Sequence, residues 1–416
     1  MKKNGIIKKK DSCRVCKGKD LSKVLTLGPT PLANAFLSKE EADSAESFYP
    51  LDLYFCNNCS FLQLGHVVSP EVLFKNYVYV SSTSKVFISH FEEFAKDVFK
   101  RFKLDSKSLV IDIGSNDGIL LKPFKKLGAK VLGIEPAKEI AKVARKEGVD
   151  TVSEFFSVNL AKRIVNKQGK AKIITATNVF AHIDDLDEVI NGLNELLDDD
   201  GVFIMEAPYL VDFLEKRYFD LVYHEHLSYW AVKPLITLFR RFDMVLFDVQ
   251  KVDVHGGTIR VFIKKQRGLY KIEKRVQDFL DFEKRAKLND KKTYLDYSTK
   301  VSENKIELVS LLSSLKSKGK KIAAYGAPAK GNTLLNFFSI GTEILDYVVD
   351  DSPWKQGLYT PGKRIPVVSS KKMYEKKPDY MLILAWNFAD SIIKMHEKYQ
   401  SMGGKFIIPV PKPKIR

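Results

Sequence analysis

Residues 108–128 read SLVIDIGSNDGILLKPFKKLG, and this stretch decides the fold. A short apolar run from Ser108 to Ile113 enters a turn at Gly114-Ser-Asn-Asp-Gly118, and helical spacing follows. Strand, glycine turn, helix is the arrangement that cradles a phosphate or a cofactor, because glycine lets a ligand approach the backbone amides at a helix start. A second strand, KVLGIEPA, ends at Glu135, about 20 residues past the turn, where an acid can accept both hydroxyls of a ribose.

Working outward, TVSEFF (151–156), IITATN ending at Asn178 and GVFIMEAP ending near Pro208 are further strand-like runs with helical patterns between them. This alternation predicts an α/β fold, a doubly wound parallel sheet whose ligands lie beyond the carboxyl ends of its strands. FDMVLFDVQKV (242–252) and GGTIRVFIKK (256–265) then form a closing hairpin-like pair, which an ordinary dinucleotide fold does not need. The turn also lacks the G-x-G-x-x-G pattern, since Asn116 stands where the second glycine would be. After a charged helical stretch with apolar spacing at Leu308, Leu311, Leu312 and Leu315, KKIAAYGAPAKGNTLLNFF reads as a second strand, glycine turn and helix. The runs EILDYVVDD, YMLILAW and KFIIPVP complete a second, smaller doubly wound unit. The 416 residues therefore divide into 1–80, 81–265 and 266–416.

The four cysteines, Cys13, Cys16, Cys56 and Cys59, form two C-x2-C pairs. Two knuckles aim two pairs of thiolates at one point and complete a tetrahedral zinc shell; with no coordination position left open, the metal is structural. A disulfide reading conflicts with a reducing compartment, and a C-x2-C redox motif does not need its twin. Apolar runs broken by Gly and Pro predict hairpins around this metal in an N-terminal β unit, then a loop bearing Tyr77 and Tyr79 and a helix from about Ser84. Those tyrosines serve a site or pack as amphipathic cover.

Hydrophobic residues at 45% and aromatics at 11% exclude wholesale disorder. The net charge of +17 favours anionic partners, but Lys264 to Lys321 alone holds 17 basic and 8 acidic residues, a pattern expected of a solvated helical face rather than a polyanion contact. No apolar run reaches the ~20 residues of a membrane-spanning helix, and the basic start MKKNGIIKKKDS has no apolar run behind it. A cytoplasmic protein with no membrane or nucleic-acid partner is expected, a monomer among the options.

Two segments leave the sheet on the ligand side. Asn178-Val-Phe-Ala-His182 follows one strand end, and Tyr223-His-Glu-His226 lies in the insertion after the next strand. Histidines, a glutamate and a tyrosine there supply acid and base groups. His224-x-His226 with Glu225 is a weaker candidate for a cation, and His90 and His255 carry no comparable signal.

The IDIGSNDG turn, the Glu135 strand end and the hairpin-closed sheet resemble class I S-adenosylmethionine (SAM) methyltransferases. More closely, Cys13-x2-Cys16 with TPLANAF, Cys56-x2-Cys59, IDIGSNDG, NVFAHIDD, YHEHLSYW, HGGTIRV and YGAPAKGN, in that order, resemble zinc-containing sugar C-methyltransferases acting on nucleotide-linked 4-keto-deoxysugars. The resemblance implies SAM along Asp112, Gly114, Asn116 and Gly118, with Glu135 on the ribose, Asn178 near the methionine end, and Phe155 either flanking adenine or lying in the core. It implies His226 as the base on the carbon next to the ketone, with Tyr77, His182, Tyr223 and Glu225 lining the pocket. Methylating carbon needs such a base, because the proton beside a ketone is removable once charge spreads onto the carbonyl oxygen. The implied acceptor is a dTDP-, GDP- or CDP-linked 4-keto-6-deoxysugar methylated at C3. The C-terminal unit would help hold its nucleotide through Lys330 and Asn332; Asp350 and Trp354 touch the base or sugar or are buried. Lys330 precedes Gly331 and Asn332 stands where a P-loop needs lysine, so ATP hydrolysis is unsupported. The alternatives are another SAM-dependent methyltransferase, for instance on RNA, and a non-catalytic SAM-binding protein.

Overall fold

The computed structural model describes residues 6–73, 85–254 and 256–416. Tyr77, Tyr79 and His255 lie outside the described residues.

Among the described residues four sheets form. The N-terminal region contributes β1 (Ile7–Lys9), β2 (Leu21–Thr30), β3 (Tyr49–Cys56), β4 (Leu62–Leu64) and β5 (His66–Val68). Strands β2, β3 and β4 pair antiparallel, with the second cysteine knuckle as the turn between β3 and β4. The burial of Leu51, Leu53 and Phe55 on one face of β3 is the period-two alternation expected of a sheet packed on one side. Strands β1 and β5 form a small antiparallel pair of their own.

The helix Lys85–Arg101 leads into the central sheet, built from β6 (Leu109–Ile113), β7 (Lys130–Ile134), β8 (Thr151–Val152), β9 (Ala171–Thr177) and β10 (Leu197–Pro208). All five residues of β6 are buried, as a strand covered on both faces requires. Strand β11 (Ser228–Tyr229) comes from the long insertion after β10, and β12 (Met244–Val252) and β13 (Thr258–Lys265) close the sheet in the order β12-β13-β10-β9-β6-β7-β8. Neighbours from β10 to β8 are parallel, and β13 is antiparallel to both β10 and β12. This is the doubly wound sheet with a closing hairpin that the alternation predicted. The insertion does something no spacing announced: β11 pairs with β4, so it completes the N-terminal sheet in the order β11-β4-β3-β2.

The charged stretch folds as helices Lys274–Arg285 and Lys291–Ser317, the second burying Leu308, Leu312 and Leu315. Beyond it, β14 (Ile322–Tyr325), β15 (Val348–Val349), β16 (Val367–Val368), β17 (Tyr380–Ile383), β18 (Lys405–Ile408) and β19 (Lys414–Ile415) form a second sheet in the order β16-β15-β14-β17-β18-β19. It is parallel except at β19. Helix Ala329–Phe338 follows the second glycine turn.

Candidate active site and cysteine centre

The Sγ atoms of Cys13, Cys16, Cys56 and Cys59 all lie within 4.8 Å of one another. Cys13–Cys59 and Cys16–Cys56 separations of 3.6 and 3.5 Å are close to the ~3.8 Å edge of a tetrahedron with Zn–S bonds of about 2.3 Å. The two knuckles are built alike: Lys17 N–H donates to the Cys13 carbonyl and Ser60 N–H to the Cys56 carbonyl, and both Lys17 (φ 63°) and Ser60 (φ 64°) turn left-handed to fold their amides back. Hydrogen bonds from neighbouring thiols hold the Cys56 sulfur below its ordinary range, while the same crowding pushes Cys13 and Cys59 up. Four sulfurs in this arrangement favour a cation that accepts all of them as thiolates.

The knuckle also reaches the loop that follows β9 of the central sheet. Arg14, 2% exposed, donates from Nε to Asp184 Oδ1 (3.0 Å) and from Nη1 to the Leu64 carbonyl (2.7 Å), and Lys10 joins it on Asp184. Asp184 is two residues from His182, so the N-terminal unit fixes the loop that carries that imidazole.

At the carboxyl end of β6, Gly114 (φ 71°) turns the chain where a Cβ would come within 2.5 Å of Val179. Glu135, 7% exposed, accepts Asn116 N–H at 3.0 Å and Ala137 N–H at 2.9 Å, and burial pushes its carboxyl up. Asp112 is buried inside the strand and accepts Thr175 Oγ1–H at 2.6 Å; burial raises it to about 7. Gly118, also left-handed, closes the turn, and Asn178 (φ 59°) ends β9 with its N–H on the Glu206 carbonyl. Phe155 is 61% exposed, so the core reading of that residue does not hold: it stands on the surface just beyond β8.

The insertion brings part of the histidine cluster together and splits the rest. His226 Nδ1 lies 2.9 Å from the Leu221 carbonyl and Nε2 lies 2.9 Å from the Tyr223 hydroxyl. A carbonyl only accepts, so Nδ1 carries the hydrogen and Nε2 accepts from Tyr223. The His182 and His226 ring centroids are 5.0 Å apart, and burial lowers His182 to about 4, keeping it neutral near pH 7. Glu225, 6% exposed, accepts from Asn34 Nδ2 at 2.7 Å and is pushed up to about 7 by burial. His224 turns away, its Nε2 donating to the Tyr49 carbonyl at 3.2 Å, and it shares no metal cluster with His226 among the described residues. Asn34 sits in TPLANAF, a motif legible as sequence but silent about its target. The Leu221 carbonyl has no sequence signal at all.

In the C-terminal unit Lys330 Nζ meets Asn387 Oδ1 and lies 4.5 Å from the Trp386 ring centroid; burial lowers it to about 8. Asn332 is 1% exposed and donates to the Ala33 carbonyl at 2.8 Å, so in this state it ties the glycine turn to the N-terminal unit. Asp350 is partly buried and takes the Ala327 N–H, whereas Trp354 is 74% exposed, which removes burial as its explanation. Beside this turn a cavity of about 370 Å³ is lined by Trp386, Asn387, Phe388, Ser391, Lys414 and Arg416. No helix among the described residues is long and apolar enough to cross a membrane.

A hairpin-closed doubly wound sheet with a ligand turn at β6, joined to a four-thiolate centre, defines a class I methyltransferase with an added zinc-binding unit. Comparison with known proteins agrees: residues 13–74 match the family described as "Putative zinc binding domain", 87–248 "Methyltransferase domain" and 253–411 "C-methyltransferase C-terminal domain". The chain is 36% identical over 410 residues to the C-methyltransferase NovU of Streptomyces niveus, covering 99% of this chain and 98% of that protein. It therefore belongs to the zinc-containing, SAM-dependent C-methyltransferases. A ubiquinone biosynthesis O-methyltransferase of Bartonella tribocorum is 27% identical over 114 residues, covering 27% of this chain and 46% of that one. The PH0226 protein of Pyrococcus horikoshii OT3 aligns at a TM-score of 0.37 and 13% identity, covering 47% of this chain and 100% of that one.

Proposed function

We propose that this C-methyltransferase methylates C3 of a nucleotide-linked 4-keto-6-deoxysugar, with His226 as the base. The observation that carries the reading is the tautomer: with Nδ1–H spent on the Leu221 carbonyl, His226 presents its basic lone pair at Nε2, beside the Tyr223 hydroxyl. In the reaction the C3–H bond breaks, its proton passes to Nε2, and the electron pair moves into the C4 carbonyl to make an enolate. With the sugar bound, the Tyr223 hydroxyl turns its hydrogen from Nε2 to the C4 oxygen, freeing the lone pair, and His182 in its neutral form donates beside it. Gly114 and Asn116 would hold SAM, with Glu135 on its ribose, and the bound cofactor would supply the electrophilic methyl for the new C–C bond, with S-adenosylhomocysteine as the leaving group. Glu225 with Asn34 faces a sugar substituent. For the nucleotide, the cavity beside Lys330 offers Lys414 and Arg416 to a diphosphate and Trp386 and Phe388 to a base.

The test is NMR of a panel of 4-keto-6-deoxysugar nucleotides with protein and SAM in deuterated water. A new carbon-bound methyl at C3 is the expected result, and deuterium uptake at C3 without SAM would report the base alone. Across the panel, intact SAM binding with neither signal would sink the sugar reading. His226→Ala is expected to lose about 10²- to 10⁴-fold in turnover while keeping SAM affinity; near-normal turnover would remove it from the role.

A further inference from the structure

The carbonyl that fixes the His226 tautomer belongs to Leu221, the last residue of a short 3-10 turn, Phe219–Leu221. Both residues before it are anchored in the C-terminal unit. Phe219 stacks on Phe338 with centroids 5.1 Å apart and planes 16° apart, and its ring meets Phe337 at 5.9 Å. Asp220 is 0% exposed, and Trp386 Nε1 donates to its Oδ2 at 2.6 Å. Its other oxygen has no hydrogen-bond partner among the described residues. A buried carboxylate so placed needs a nearby cation, and Lys330, stacked over Trp386, supplies it. The Tyr229 hydroxyl, on β11, the strand lent to the zinc-bearing sheet, also donates to the Leu221 carbonyl at 3.5 Å.

We propose that Asp220 is a positioning residue for the methyl-transfer reaction: through Trp386 and Lys330 it fastens the 219–221 turn to the C-terminal unit, so that Leu221 presents its carbonyl to His226 Nδ1. The C-terminal unit then takes part in proton abstraction by orienting the base, beyond any part it has in holding the acceptor. The inference rests on His226 being that base, and the two can be separated experimentally.

Full-length protein labelled with ¹⁵N-histidine, compared with Asp220→Ala, Asp220→Asn and Trp386→Phe, reads the tautomer without any acceptor; the His226 signal is assigned by its loss in His226→Gln. Wild type is expected to show a single Nδ1–H tautomer, Asp220→Ala to lose it, and Asp220→Asn, which keeps an acceptor for Trp386, to fall between. Trp386→Phe keeps a ring over Lys330 while removing the donor, so it serves if Asp220→Ala does not fold. In turnover, kcat of the Asp220 variants should fall about 10- to 100-fold with acceptor KM and SAM affinity within about twofold, as a displaced catalytic group requires; Trp386→Phe is read by the tautomer alone. An unchanged tautomer in folded Asp220→Ala and Trp386→Phe would overturn the proposal. A lost tautomer with unchanged kcat would uphold the positioning and instead remove His226 as the base.

Discussion

The chain contains two strand–glycine turn–helix units that are built alike and end differently. In each, a left-handed glycine opens the turn, Gly114 at φ 71° and Gly326 at φ 86°, and in each a Cβ would strike a side chain at 2.5 Å (Val179) or 2.8 Å (Ala385). In each, an acid just beyond the neighbouring parallel strand accepts a turn amide, Glu135 from Asn116 and Asp350 from Ala327. The difference is charge. Glu135 has no ion-pair partner among the described residues, whereas Lys355 stands 3.7 Å from Asp350 and also donates to the Ala327 carbonyl at 2.9 Å. The second turn is further tied down by Asn332 on Ala33. A turn whose acid lacks a cation suits ribose hydroxyls; one neutralised from within suits packing.

Four experiments bear on that contrast. The largest effect is expected for Glu135→Ala, which should weaken SAM by about 100-fold in calorimetry through loss of charge-assisted hydrogen bonds. Asp350→Ala should leave SAM affinity within about threefold, since its partners lie within the second turn, and a matching loss there would erase the distinction. Next, Lys330→Ala should raise acceptor KM about tenfold at constant SAM affinity; an unchanged KM would place the acceptor's anionic part elsewhere.

Gly114→Ala and Gly326→Ala should each cost about 1–3 kcal/mol in chemical denaturation, because both force a side chain into left-handed backbone against a neighbour. Only Gly114→Ala should also weaken SAM. Equal loss of SAM affinity in both would show that the units are coupled through the whole fold.

The smallest effect concerns the strands themselves, since β6 carries Asp112 and β14 carries no acid. Asp112 rises to about 7 in the fold from about 3.9 unfolded, so the native state binds the extra proton between those values and stability falls as pH rises through that window. Asp112→Asn should flatten the slope, gaining about 1–3 kcal/mol relative to wild type at pH 8 compared with pH 4. A parallel pH profile for the two proteins would place the titration elsewhere.

Much of the scaffold was legible because its signals are local. The C-x2-C spacing encodes a knuckle within a few residues, and the apolar runs at 109–113, 130–134 and 171–177 encode buried parallel strands irrespective of what covers them. Tyr223, His182 and His226 were legible as a group for the same reason: they follow strand ends that share one side of a doubly wound sheet. His224 was not separable from His226, because direction two residues apart in a loop depends on the Tyr49 carbonyl, which belongs to another unit. Exposure at Phe155 and Trp354, and burial at Asn332, likewise depend on what the rest of the chain brings alongside.

By itself, then, the sequence determined a four-thiolate centre, a hairpin-closed α/β sheet and a cofactor turn with its acid, since each is specified by residue type and short-range spacing. Tertiary structure alone decided how His226 is held. Leu227 bonds Ala181, β11 completes the zinc-bearing sheet, and the 219–221 turn is fastened to Trp386 and Phe338. Those partners lie tens to hundreds of residues away, and a hydrogen bond is directional over about 3 Å, so only the folded chain brings donor, acceptor and ring into register.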